Sequence, residues 1–218
     1  MKEKILTPEN LIFSIFLMLW IISLAVGLTL NFRPLYYFDV DYLGICASSG
    51  LDEEVIRRNY DVLIDYNGIF SQEELEFPDL SMSESGRIHF QEVKHIFVGL
   101  QWFLIADSAV CAVLLIRHIR RKSYAFLKLT GIITVVIPAV LGALIALNWN
   151  WVFVTFHHIA FDNDYWIFDE VTDPVITKLP DTFFMHCALM ILALVMLGAA
   201  ACLAAGHVLA GKNARTDR

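Results

Sequence analysis

Four long apolar runs dominate this chain, at residues about 10–31, 94–116, 125–148 and 183–207. At about 1.5 Å of rise per residue, each is long enough as a helix to cross roughly 30 Å of hydrocarbon. A spanning segment must satisfy its own backbone polar groups, which a helix does internally. The expected fold is therefore an α-helical integral membrane protein, four transmembrane helices in a single membrane domain with a small mixed extracytoplasmic cap. Composition agrees: 218 residues that are 57% hydrophobic, with a mean hydropathy of +0.60, are too apolar for a soluble domain. The first run follows Lys2 and Lys4 as a signal peptide would. Its apolar stretch exceeds about twenty residues, too long for an h-region, and no convincing A-x-A site follows, so it reads as an uncleaved anchor.

Orientation follows from lysine and arginine. The short loop RHIRRKS carries Arg117, Arg120, Arg121 and Lys122, the N-terminus adds Lys2 and Lys4, and the tail adds Lys212, Arg215 and Arg218. Four spans put all of these on one side, and the positive-inside rule makes that side cytoplasmic, with both termini. The protein is then a multi-pass membrane protein. The loops at about 32–92 and 149–182 face outward and hold nineteen of the 23 Asp and Glu residues. The net charge of -7 thus belongs to an external cap, and no nucleic-acid partner is expected. Cys111, Cys187 and Cys202 fall inside spans and only Cys46 in the cap, so no disulfide framework is available.

Within the cap, RPLYYFDVDYLGI alternates aromatic and polar residues in a way that suggests short strands. The segment from Ser49 to Gly68 predicts a helix, with Ser49 as N-cap, acids in its first turn and Asn67-Gly68 as the stop. Its inward face is Val55, Ile56, Leu63 and Ile64. Ser83 or Ser85 can cap a helix that runs straight into the second span, which puts His89 at the outer interface. NWNW supplies the interfacial Trp149 and Trp151 and leads into FHHIAFDNDYWIFDE, so His157 and His158 reach the same depth. Two histidines at one interface suit paired acid and base roles, because imidazole exchanges protons near neutral pH. An amphipathic histidine is also at home there without any chemistry.

A metal reading competes. His89, Glu92 and His95, with His157, His158, Asp162 and Asp164, supply ligand types, but i, i+3 and i+6 fan over about 120° of a helix, too wide for one ion unaided. No H-E-x-x-H, G-x-S-x-G, S-x-x-K or P-loop pattern occurs, so a reaction here takes its nucleophile from the substrate. Asp107, deep in span two, is a functional candidate by default. About 27 Å of helix separates it from His89, so Thr130 or Thr134 is its expected partner. Pro138 is expected to kink span three, Gly198, Ala199 and Ala200 offer close helix contact, His118 and His207 mark the cytoplasmic end, and His186 opens span four as a lesser candidate.

Three segments carry a resemblance: NYDVLIDY at 59–66, SESGRIHFQEVK at 83–94 and FHHIAFDNDYWIFDEVTDPVITKLPDTFF at 156–184. In this order, on a four-span topology, they resemble the bacterial lipoprotein intramolecular transacylase family. The family pattern reads His-x-x-Asp-Val-Lys in the second segment, where this chain has Glu92 in place of Asp. It reads Phe-His-x-x-x-Phe-x-Asn-Asp-x-Trp in the third, followed by Asp-Pro and Leu-Pro-x-x-Phe-Phe. The resemblance implies an enzyme that moves the sn-2 acyl chain of a diacylglyceryl lipoprotein onto the α-amine of its N-terminal cysteine. It implies His89 and His157 as the catalytic pair and leaves His158 without a counterpart. Phe156, Phe161, Tyr165, Trp166, Phe168 and Tyr66 would then face substrate, with Glu92, Lys94, Asn163 and Asp164 supporting. The expected partners are diacylglyceryl-modified lipoproteins and membrane lipid, with no cofactor and no metal. A non-catalytic lipoprotein-binding protein and a metal-dependent membrane hydrolase are the alternatives.

Overall fold

The computed structural model describes residues 5–71 and 74–216, without the side chains of 211–216. Lys2, Lys4 and Arg218 lie outside the described residues, and Lys212 and Arg215 outside the described side chains. The described chain is all helical: α1 (Pro8–Asn31), α2 (Arg33–Tyr42), α3 (Ile45–Ser49), α4 (Glu53–Tyr66), α5 (Glu84–Arg120), α6 (Ala125–Leu147), α7 (Trp149–Ala160) and α8 (Asp181–Thr216), with a 3₁₀ turn at Pro174–Thr177. Four of these, α1, α5, α6 and α8, are long and apolar enough to cross a membrane. They contain the four apolar runs.

No strand occurs among the described residues, and the strands expected in RPLYYFDVDYLGI are helix α2. Pro34 stands in its first turn, where the fixed φ favours a helix and the missing N–H costs nothing. Tyr36 and Val40, four residues apart, are both fully buried on one helical face. The N-cap of α4 is Asp52 instead of Ser49, which ends α3; Gly50, at φ +68°, stops that short helix. The left-handed backbone there suits a residue without Cβ. Asn67 closes α4 as expected, and Ile56, Leu63 and Ile64 are buried while Val55 is half-buried.

The chain divides into two compact units. One comprises Met1–Val26, Trp102–Ala143 and Leu189–Arg218. Its contacts are those of close-packed helices. The Phe13 ring stacks on Phe126 at 4.2 Å, Ser14 Oγ donates to the Phe126 carbonyl, and Trp20 Nε1 donates to Ser108 Oγ at 2.8 Å. A Cβ on Gly198 would run into Ile21, and one on Gly131 would meet Leu203 and the Ala199 carbonyl. Small residues here set the helix spacing, as they do where lipid supplies no hydrophobic drive to association. Ile105, Val113, Val136 and Leu197 point their apolar side chains outward. Pro138 lies inside α6. Asp107 is buried, and its bonded partner is Cys111 one turn along α5; among the described residues the Thr130 and Thr134 hydroxyls have no hydrogen-bond partner. The expected bond across the bundle is replaced by a local one, which α5 alone can provide.

The other unit comprises Gly27–Gln101 and Leu144–Ala188. Its core gathers Tyr36, Val40, Ile45, Ile56, Tyr60, Leu63, Phe90, Val175, Leu179 and Phe183. Tyr36 and Tyr60 stack at 3.7 Å, Phe183 meets both edge-on, and the Tyr36 hydroxyl donates to the Lys178 carbonyl at 2.8 Å. Such ring pairs contribute about 0.5–1.5 kcal/mol each beyond their buried area. They tie α2 and α4 to the start of α8. This second unit holds the candidate site.

Candidate active site

Each histidine is placed by its own helix. Ser83 caps α5, its hydroxyl accepting from Gly86 N at 3.0 Å, and six residues on from Ser83 the helix carries His89. Asn148 caps α7, its side chain accepting from Trp151 N, and the helix carries His157 in its last turn. The two rings lie 6.2 Å apart, centroid to centroid. Although 68 positions separate them in sequence, they form one site.

Aromatic rings wall it. Phe161 sits 4.7 Å from His89 and 5.8 Å from His157, Phe168 meets His89 edge-on at 5.4 Å, and Trp166 lies 4.7 Å from His157. Phe156 meets His157 edge-on. Phe153 and Phe90, which sequence reasoning did not single out, add rings against His157 and His89. Phe153 lies one turn before His157, so helical spacing would have found it.

The electrostatics follow from that enclosure. His157 Nδ1 lies 2.8 Å from the Phe153 carbonyl. A carbonyl only accepts, so Nδ1 carries the proton, and in the neutral ring Nε2 keeps its lone pair. Burial holds the His157 pKa below its ordinary value; the Phe153 carbonyl opposes this, and the neighbouring His158 adds to it. His89 is 5% exposed and its Nδ1 has no hydrogen-bond partner among the described residues. Two imidazoles thus stand close together, largely out of water, one with a defined free nitrogen.

The supporting residues divide into three groups. Asn163 bridges: its Nδ2 donates to Glu92 Oε1 at 2.8 Å, one turn along α5 from His89, and its Oδ1 accepts from Tyr165 N. Glutamate in place of aspartate therefore keeps a hydrogen bond here. Lys94 is elsewhere, its ammonium 4.2 Å from the centre of the Tyr66 ring, and neither of these makes a ring contact with the histidines. Asp164 and Tyr165 are exposed on the loop after α7, and His158, in the last turn of α7, is exposed and meets the Trp166 ring at a near-right angle. His95, of the metal reading, is exposed too.

Two further residues shape the site. Asp173 is 2% exposed and accepts from Ser83 N at 2.7 Å and from the Thr172 hydroxyl at 2.7 Å. It clamps the loop that carries Phe168 to the start of the helix that carries His89. A Cβ on Gly86 would collide with Asp173 and Phe168, so glycine is what admits this approach. The Asp-Pro pair in the third motif was the available signal. His186 is paired as well: its Nδ1 lies 2.8 and 2.9 Å from the two oxygens of Asp39, which is wholly buried.

Four membrane-length helices and a compact unit that encloses paired imidazoles define a multi-pass integral membrane protein with groups suited to proton transfer. The lipoprotein intramolecular transacylase family model matches residues 11–184, and the chain belongs to that family. It is similar to a solved structure of the membrane-integral lipoprotein intramolecular transacylase from Bacillus cereus, with 37% identity, 95% of this chain and 96% of that chain covered, and a TM-score of 0.93. Two variants of the same protein, each with one histidine replaced, match at 36% identity and a TM-score of 0.86; they cover 96% and 95% of this chain and 93% and 94% of theirs. No curated protein matches by sequence. The chain is accordingly an enzyme, a membrane-integral transacylase of lipoproteins.

Proposed function

We propose that this transacylase moves the sn-2 acyl chain of a diacylglyceryl lipoprotein to the α-amine of its N-terminal cysteine, leaving a lyso-form lipoprotein. The observation that carries the reading is the meeting of His89 and His157 inside an aromatic enclosure. The attacking group is the substrate's own amine. Its pKa near 8 leaves a useful neutral fraction at pH 7, so no enzyme nucleophile is required.

His157 acts as the base. Its Nδ1 proton is committed to the Phe153 carbonyl, which leaves Nε2 to take a proton from the attacking nitrogen. His89 then serves the departing glyceryl oxygen. Each such transfer contributes about 10²- to 10⁴-fold in rate. Bringing amine and carbonyl together orders several freely rotating bonds, and rigid walls suit that work. Orientation supplies roughly 7–11 kcal/mol in favourable cases, here through Phe161, Trp166 and Phe168, with Phe156 and Tyr165 nearer solvent and Tyr66 beneath Lys94 in the adjoining core.

The termini and the basic RHIRRKS loop are placed on the cytoplasmic side, and the histidine site on the outer face where lipidated N-termini reside. The test is expression in cells that otherwise retain diacylglyceryl lipoproteins, followed by fragmentation of their N-terminal lipopeptides. Intact mass does not change, since the product is an isomer of the substrate. Fragments that place one acyl chain on nitrogen and leave a free glyceryl hydroxyl are expected. Fragments that keep both chains on glycerol would reject the reading.

A further inference from the structure

We propose that Trp166 is a catalytic residue, its indole N–H binding the sn-2 carbonyl oxygen as that oxygen gathers negative charge. The proposal rests on the transacylation described above. Trp166 Nε1 is buried and has no hydrogen-bond partner among the described residues. Buried indole N–H groups usually have one. Indole nitrogen only donates, so what this position lacks is an acceptor. A substrate oxygen that becomes an anion during the reaction is such an acceptor.

The ring packs against the proposed base. It lies 4.7 Å from His157 at an interplanar angle of 31°, and His158 meets it edge-on from a second direction at 5.5 Å. The backbone around it is fixed by Tyr165 N donating to Asn163 Oδ1 and Ile167 N donating to the Asp164 carbonyl. Through Asn163 Nδ2 and Glu92, the same turn is tied to α5 one turn from His89. The indole N–H and the His157 Nε2 lone pair both lie in their ring planes, and those planes are inclined to each other by 31°. One reacting centre at the ring edges can address both.

The step balances without another reactant. The amine nitrogen bonds to the carbonyl carbon, the carbonyl π pair moves to oxygen under the indole N–H, and the nitrogen's proton passes to His157 Nε2. On collapse the pair returns, the bond from carbon to glyceryl oxygen breaks, and that oxygen takes a proton from His89. The proton gained by His157 replaces it, so that both rings end neutral. The indole keeps its own proton throughout. A donor aimed at charge present only in the transition state raises kcat and leaves ground-state binding unchanged.

The experiment compares full-chain protein in lipid vesicles carrying Trp166→Phe, or 3-benzothienylalanine at position 166, on a synthetic diacylglyceryl lipopeptide. Benzothienylalanine keeps the shape of the indole and replaces its N–H with sulfur. Both are expected to lower kcat by roughly 10²-fold with KM unchanged. A benzothienyl protein with wild-type kcat, or substitutions that raise KM alone, would show the ring to be only a wall and overturn the proposal. Wild-type protein that transfers no acyl chain to the amine would instead overturn the proposed function, and the donor role with it.

Discussion

His157 Nδ1–H donates a hydrogen bond to the Phe153 carbonyl at 2.8 Å while its ring lies 6.2 Å from that of His89, centroid to centroid. The hydrogen bond lies within one turn of α7, so the tautomer is set by the helix that positions the residue. The pairing with His89, by contrast, depends on the tertiary fold.

Removing either ring should abolish transfer without unfolding the protein. His89→Ala and His157→Ala are each expected to lower the transacylation rate by about 10²- to 10⁴-fold, measured on lipopeptides by fragmentation, with melting temperatures near wild type. His158→Ala is expected to retain transfer, since that ring is exposed. A His158 variant as inactive as the other two would reverse the assignment.

The pH dependence has a definite sign. Burial lowers the His157 pKa, so the ring stays neutral and able to accept a proton to lower pH than an exposed histidine would. The substrate amine titrates near pH 8. At low substrate, log rate should therefore climb with pH at a slope of about one from below neutrality to about pH 8. It should steepen toward two only below the ordinary histidine value near 6.5. Steepening that sets in above pH 6.5 would contradict a desolvated base.

Asp173 should matter more for order than for chemistry. Asp173→Ala removes the buried acceptor of Ser83 N and the Thr172 hydroxyl. Ser83 is half-buried and Thr172 is exposed, so the loss is expected to fall toward the lower end of the roughly 1–3 kcal/mol that a stranded buried donor costs. A lowered melting temperature in detergent is expected, together with reduced transfer as α5 and the Phe168 loop lose their clamp. Gly86→Ala attacks the same junction from the other side and should act in the same direction.

How much of this the chain's sequence discloses depends on the range of the interaction. Hydrocarbon length is a local property, so all four apolar runs map onto membrane-length helices. Caps are nearly as local, and Ser83, Asn67 and Asn148 sit where short-range rules put them. Segment α2 misleads because its alternating aromatics resemble a strand, whereas Tyr36 and Val40 are spaced for a helix and Pro34 starts one. His89 and His157 drew attention as titratable groups at one depth, but their motifs were needed to prefer them over His158. Nothing local marks Asp173 as the acceptor for Ser83, ninety residues earlier, or Asp39 as the partner of His186, 147 residues away. Pairings of that kind exist only once α2, α5 and α8 have been brought together.

The Asp39 and His186 pair offers the sharpest test of that last point. Asp39 is 0% exposed, and both of its oxygens face His186 Nδ1. His186→Phe keeps a ring of similar size but leaves a buried carboxylate with no donor. Breaking a buried pair from one side costs about 3–5 kcal/mol, whereas replacing both partners with apolar groups of similar volume is often neutral. The double variant Asp39→Leu with His186→Phe is therefore expected to melt above the single His186→Phe variant, a non-additivity that a double-mutant cycle reads directly. A double variant that melts lower than either single one would mean that the two side chains act separately.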